Sequence, residues 1–158
     1  MNINIICVGK IKEAYIKAGL DEYSKRLSKY CKLNVTELQD EKVADKTSEK
    51  ELEIIQKTEA ERIKSALKSG CTIVLDFRGK QLKSEEFAEK IAAIGVSGQS
   101  TINFIIGGSI GLSEEIRKNA DFVLSFSNLT FPHQLIRLFL YEQLFRCFKI
   151  IKGETYHK

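Results

Sequence analysis

The chain of 158 residues has a single proline, Pro132, followed directly by His133, one of its two histidines, so these scarce residue types gather in LTFPHQLIR, residues 129–137. No low-complexity tract, internal repeat or Pro/Gly/Ser-rich linker interrupts it, which argues against a solenoid or a tethered second domain. Its four cysteines, Cys7, Cys31, Cys71 and Cys147, lie far apart with no CxxC pair, which speaks against a zinc site or a dithiol redox couple. Cys7 and Cys71 fall inside strand-like runs, so buried, reduced thiols in a reducing compartment are expected. No stretch approaches eighteen uninterrupted apolar residues, and the start MNINIICVGK lacks the basic region and long apolar segment of a secretory signal. No membrane span is expected, and the cytoplasm is the expected compartment.

The composition is that of a soluble globular protein, 43% hydrophobic and 29% charged. At this length one domain, residues 1–158, is expected to bury a sufficient core. The formal charge is +4, and both ends are basic: residues 1–38 hold seven Lys/Arg against four Asp/Glu, and residues 133–158 five against two. Residues 39–132 together are slightly acidic, so the charge permits a nucleic-acid partner without requiring one.

Short β-branched runs alternate with helical patterns. NINIICV (2–8), KLNVTEL (32–38), CTIVLDF (71–77), TINFII (101–106) and DFVLSF (121–126) read as strands. A first helix is expected over about residues 12–30, with Ala14, Ala18, Tyr23, Leu27 and Tyr30 on its apolar stripe. A second follows the capping-box spacing Ser48-Glu49-Lys50-Glu51 and stops near Gly70. A third begins at Ser84 and fades before Gly95, a short fourth begins at Ser113, and a fifth runs from about Pro132 to Ile150. The order βαβαβαβαβα predicts an α/β fold with a mostly parallel sheet and helices on both faces.

Two segments could carry chemistry. In IIGGSIGLS (105–113) an apolar strand ends in Gly107-Gly108, whose backbone a ligand can approach at the carboxyl edge of a parallel sheet. The segment is neither GxGxxG nor a GK[ST] phosphate loop, and a turn without a ligand is the competing reading. SFSNLTFPHQ (125–134) joins the fifth strand to the last helix through Ser127, Asn128 and Thr130 and holds no acid to grip a ribose. These side chains could equally cap the helix.

The last helix, HQLIRLFLYEQLFRCFKII, reads as apolar on nearly every side, because Leu135, Ile136, Leu138, Phe139, Leu140, Leu144, Phe145 and Phe148 cannot share one stripe. A second copy of the same helix would cover it, which predicts a two-fold homodimer. Arg146 can pair with Glu142 four residues earlier, whereas Arg137 has no acid nearby in sequence and is the better functional candidate. The tail KGETYHK offers Tyr156 and His157, an aromatic ring and an imidazole beside lysines, suited to an unstacked RNA base; terminal disorder is the alternative.

Taken together and in this order, NIICVGKIKEAY, IGGSIGLS, LSFSNLTFPHQLIR and YEQLFRCFKIIKGETYHK resemble the bacterial family of ribosomal RNA large-subunit methyltransferases H, of the SPOUT class, across essentially the whole chain. The resemblance implies a deep trefoil knot near the C-terminus, a feature periodicity cannot reveal, and a homodimer. It implies S-adenosylmethionine bound in a bent form among three loops: Leu75 in the first, Gly107 and Gly108 in the second, and Phe126, Ser127, Asn128, Leu129, Thr130 and Phe131 in the third. It further implies methylation at N3 of a pseudouridine in a 23S rRNA hairpin within assembled ribosomes, without a metal. On that reading His157 or His133 helps remove the imide proton, Tyr156 and Arg137 position the base and its backbone, and the partner subunit supplies part of the site. A non-catalytic RNA- or ribosome-binding dimer of the same fold is the alternative. A nucleotide-dependent oxidoreductase is disfavoured by the missing fingerprint.

Overall fold

The β-branched runs become strands β1 (Asn2–Val8), β2 (Lys32–Leu38), β3 (Cys71–Gln81), β4 (Thr101–Ile106) and β5 (Phe122–Ser125) in a computed structural model that describes residues 1–156. They form one sheet in the order β2-β1-β4-β3-β5, and each neighbouring pair is parallel. Helices α1 (Ala14–Leu27), α2 (Glu49–Ala66), α3 (Ser84–Val96), α4 (Glu114–Lys118) and α5 (His133–Ile151) alternate with them, giving the crossovers that parallel strands need.

Alternation along the strands sorts the core into two layers. Ile3, Ile5 and Cys7 of β1 face α1, α3 and α5 together with Ile73, Leu75, Ile102, Phe104 and Ile106. Ile6, Val8, Val74 and Ile105 face α2 and α4, meeting Ala60, Ile63 and Ile116. Both faces are covered, which is why these strands read as near-continuous apolar runs. The polar exceptions pair with each other: Asn4 lies beside Asn103 across the β1–β4 register and donates to its side-chain oxygen at 2.8 Å. Asn103 in turn donates to the Lys68 carbonyl at 2.8 Å, so this buried pair is satisfied.

Three local expectations need correction. In α1 the buried residues are Ile16, Leu20 and Leu27, while Ala14 and Ala18 are exposed. The larger aliphatic side chains bring more apolar area to the sheet and set the rotation of the helix. Helix α3 continues through Gly95 to Val96, where a Cβ on Gly95 would lie 2.9 Å from the Met1 side chain. Strand β3 runs to Gln81 and pairs with β5 twice, Leu75 and then Lys80 both opposite Leu124.

Helix α5 lies among the sheet, α1 and α3, with Leu140, Tyr141, Leu144, Cys147 and Phe148 buried. None of His133 through Ile150 is exposed. The helix nevertheless has a polar side: Arg146 bonds Glu142 at 2.6 Å, and Glu142 also accepts from the Tyr156 hydroxyl at 2.9 Å. Leu135 and Phe139, on the outward side nearer the N-terminus, are only half-buried. All four cysteines are free and buried, and no helix among the described residues is long and apolar enough to cross a membrane.

Candidate active site

The carboxyl ends of β3, β4 and β5 open into one cleft, which the first turn of α5 closes. Its cavity volume is about 170 Å³, and it opens broadly to solvent at the mouth. Leu75, Ile106, Leu112 and Leu124 give it an apolar floor, and Gly107, Gly108 and Gly111 form one wall.

The glycine wall is shaped by close approach. A Cβ on Gly107 would stand 2.8 Å from Leu112 Cγ, and one on Gly108 would stand 3.0 Å from Val8 Cγ1. Missing side chains therefore let the turn fold onto its own leucine and onto β1, leaving main chain along the cleft. Gln56 of α2 ties the far side of this turn by donating to the Ile110 carbonyl at 3.2 Å, and Ser113 caps α4 by accepting from Ile116 N.

The opposite wall, residues 125–131, is a tight turn held by its own hydroxyls. Ser125 Oγ donates to the Ser127 carbonyl at 2.8 Å, and Ser127 Oγ accepts from Leu129 N at 3.0 Å. Both serine hydroxyls thus serve to shape the turn. Phe131 packs edge-on against Phe139, with ring centroids 5.4 Å apart, while Leu129 stands at the rim 71% exposed.

Residues Asp76, Phe77 and Arg78 form a third side. They occupy the excursion between the two β3–β5 pairings. Gly79 permits the return, since a Cβ there would lie 2.6 Å from the Val123 carbonyl. The Asp76 side chain is 6% exposed and takes Arg78 through both oxygens, at 2.9 and 3.1 Å. Arg117 approaches the same carboxylate at 3.7 Å and also donates to the Leu112 carbonyl. Burial, the largest single influence, raises the Asp76 pKa, but the Arg78 hydrogen bonds and the two guanidinium charges together carry it below the usual aspartate value. Phe77 is left 58% exposed at the mouth, with the Arg78 guanidinium 4.9 Å from its ring centre.

Of the residues singled out in the sequence, Leu75, Gly107, Gly108, Phe126, Ser127, Leu129, Thr130, Phe131 and His133 meet at this cleft. His133 stands at the α5 end, and its Nε2 lies 3.3 Å from where a Cβ on Gly9 would sit. Asn128 turns away and accepts from Gln81 Nε2 at 2.6 Å. Arg137 is buried below the rim: Nη1 bonds Glu37 of β2 at 2.6 Å, and Nε has no partner among the described residues. Its acid, absent from the neighbouring sequence, comes from one hundred residues away. Burial drives the nearby Cys7 thiol up to about 12, so it is protonated at neutral pH and unsuited to nucleophilic work.

Tyr156 lies beyond the other end of α5. Its ring packs edge-on against Phe145 at 4.9 Å, under the Arg146 guanidinium at 4.9 Å. His157 lies outside the described residues. Among the described residues no group of three His, Cys, Asp or Glu side chains gathers as metal ligands would. The sequence reading overlooked Asp76, Phe77 and Arg78; an acid and an arginine at the carboxyl end of CTIVL, on the same sheet edge as the glycine turn, were the available signal.

A parallel five-stranded sheet with this cleft at the ends of β3, β4 and β5 is accompanied by a match of residues 1–157 to the family model described as predicted SPOUT methyltransferase. The chain is 54% identical, over 159 aligned residues and the full length of both proteins, to the ribosomal RNA large subunit methyltransferase H of Clostridium kluyveri. It is equally similar, over the same extent, to the proteins of that name from Clostridium novyi and Acetivibrio thermocellus. The fold also resembles a probable methylase family protein from Haemophilus influenzae, with a TM-score of 0.57 at 15% identity, covering 99% of this chain and 70% of the other. The chain therefore belongs to the SPOUT methyltransferases and, within them, to the ribosomal RNA large-subunit methyltransferase H family.

Proposed function

We propose that this protein transfers a methyl group from S-adenosylmethionine to N3 of a pseudouridine in a 23S rRNA hairpin of the assembled ribosome. The observation that carries this reading is the cleft, where three loops from adjacent strand ends converge around an apolar floor and a side-chain-free glycine wall. Such a site fits an adenosine carrying a sulfonium: apolar walls suit the ring, and exposed main-chain groups suit its polar edge. The cofactor has no phosphate, so the lack of a lysine-bearing phosphate loop is consistent with it. Leu75, Ile106, Gly107, Gly108 and the 125–131 turn would hold it. The trefoil knot of the class belongs to the same reading.

When bound, S-adenosylmethionine supplies an electrophilic methyl group on a good leaving group. The residues of the chain must align the acceptor nitrogen, exclude water and receive the imide proton. The acceptor's N3 imide proton would pass to an imidazole of the chain, that of His133 at the rim or His157 in the tail. Arg137, bound internally to Glu37, acts on the site by fixing the first turns of α5 beneath His133.

A homodimer is part of the proposal. A 19-residue α5 at ~1.5 Å per residue is roughly 28 Å long, so Tyr156, at its distal end, is far from the cleft of its own chain. A second copy, packed on the half-buried Leu135 and Phe139 with its α5 antiparallel, would deliver its tail to that cleft. Purified 70S ribosomes incubated with the protein and isotopically labelled methyl donor test the function. Label mapping to one pseudouridine of the large subunit is expected. An unlabelled ribosome together with no thermal stabilisation by S-adenosylmethionine overturns the enzyme reading in favour of a non-catalytic RNA-binding dimer.

A further inference from the structure

A second concave surface lies at the other end of the molecule, between the C-terminal ends of α1 and α5, with a volume of about 700 Å³. Its floor is Tyr30 and the largely buried Phe145, which meet at 5.9 Å; Tyr30 stacks in turn on the buried Phe148 at 5.8 Å. Five cations, Lys25, Arg26, Lys29, Lys149 and Lys152, surround this floor with only two carboxylates, Glu22 and Glu154. The local excess of three positive charges compares with +4 for the entire chain.

Both carboxylates are already engaged. Glu22 pairs with Arg26 at 2.9 Å, and Glu154 binds Lys149 and accepts from the Tyr30 hydroxyl at 2.7 Å. Lys25, Lys29 and Lys152 are exposed and form no ion pair among the described residues. Compensation of the helix dipoles accounts for a cation or two at such ends; here three exposed lysines gather, Lys25 on the last turn of α1, Lys29 just past its end and Lys152 at the end of α5. Arg26 lies over two rings, its guanidinium 5.3 Å from the Tyr23 ring centre and 5.9 Å from that of Phe145.

We infer that this groove is a docking surface for the phosphate backbone of the substrate RNA. Unpaired lysines around the partly exposed Tyr30 ring suit a polyanion such as an RNA backbone. The groove adjoins Tyr156, whose ring rests on Phe145 at 4.9 Å. An RNA strand held there would run past the tail that the proposed dimer directs to the partner's cleft. The inference rests on the rRNA methyltransferase reading and adds the segment of the protein that grips the RNA away from the reacting base.

The test is the triple variant Lys25→Ala/Lys29→Ala/Lys152→Ala, assayed for cofactor-free filter binding to 70S ribosomes across a salt series and for methyl transfer. Ribosome affinity should fall at least tenfold, and the slope of log affinity against log salt should shrink by about 2, as expected for three lost phosphate contacts. KM for ribosomes should rise with kcat within twofold, while cofactor affinity and sedimentation stay at wild-type values. A control variant, Lys46→Ala/Lys50→Ala/Lys57→Ala, removes the same charge elsewhere and should leave the slope unchanged. Wild-type affinity and slope in the groove variant, or an equal loss in the control, would overturn the inference. Because binding is read without cofactor or turnover, failure of the methyltransferase reading shows up separately, as wild-type protein that binds ribosomes but never labels them.

Discussion

Asp76 is the residue on which the cleft mouth depends. Its carboxylate is nearly buried and answers two guanidiniums, and those bonds hold the excursion that carries Phe77 to the rim. Asp76→Asn keeps the shape and removes the charge, leaving Arg78 and Arg117 without their counter-ion. A fully buried pair broken this way costs about 3–5 kcal/mol; Arg78 is half-exposed, so solvent screening reduces the expected loss to roughly 1–2 kcal/mol. The sign with pH follows from the lowered pKa. The stabilisation is complete above the aspartate value in the unfolded chain, near 3.8, and disappears as pH falls through the still lower folded value. Urea unfolding should therefore separate Asp76→Asn from wild type at pH 7 and bring the two together in strong acid. Cofactor affinity should fall at pH 7, because the excursion is one side of the pocket.

At the scale of elements, local chemistry and tertiary chemistry can be varied separately. Ser48 opens α2 by accepting from Glu51 N at 3.3 Å while its own N–H donates to the Glu51 carboxylate at 2.7 Å. Ser48→Ala removes one half of this box and should cost about 1 kcal/mol, read as a lower urea midpoint. S-adenosylmethionine affinity should be unchanged, since α2 touches the glycine turn only through Gln56, further along the helix. This cap was legible in the sequence because its partners are three residues apart. The five strands were legible for a related reason: burial on both faces enforces runs such as NINIICV and TINFII. What sequence periodicity could not carry was anything decided across the sheet. The rotation of α1 was set by Ile16, Leu20 and Leu27 against the core, and the partner of Arg137 came from Glu37 on β2. The Asp76–Gly79 excursion exists only because β3 meets Leu124 of β5 twice. In the site, glycines and the hydroxyl-rich turn announced themselves by composition, whereas Phe77 and Arg78 look like an ordinary strand end until the neighbouring loops are in place.

For the molecule as a whole, the separation between cleft and tail leads to a decisive expectation. In the proposed dimer each site combines the cleft of one chain with the tail of the other, so a lesion in either part disables a different half of the assembly. Gly107→Val should block the cleft, because any Cβ there meets Leu112 at 2.8 Å, and Tyr156→Ala should leave the cleft intact while removing the delivered ring. Each variant alone forms dimers in which both sites are defective. Mixed and allowed to exchange subunits, they form a heterodimer in which one site pairs two damaged parts and the other pairs two intact ones. With random exchange half of the dimers are mixed, and each has one working site of two, so methyl transfer to ribosomes should recover to about a quarter of the wild-type rate. A site built within one chain predicts no recovery at any mixing ratio, because no chain in the mixture then holds both an open cleft and Tyr156. Giving the two variants different affinity tags and recovering mixed dimers through both tags confirms that subunits have exchanged, which makes an absent recovery informative about the architecture of the site.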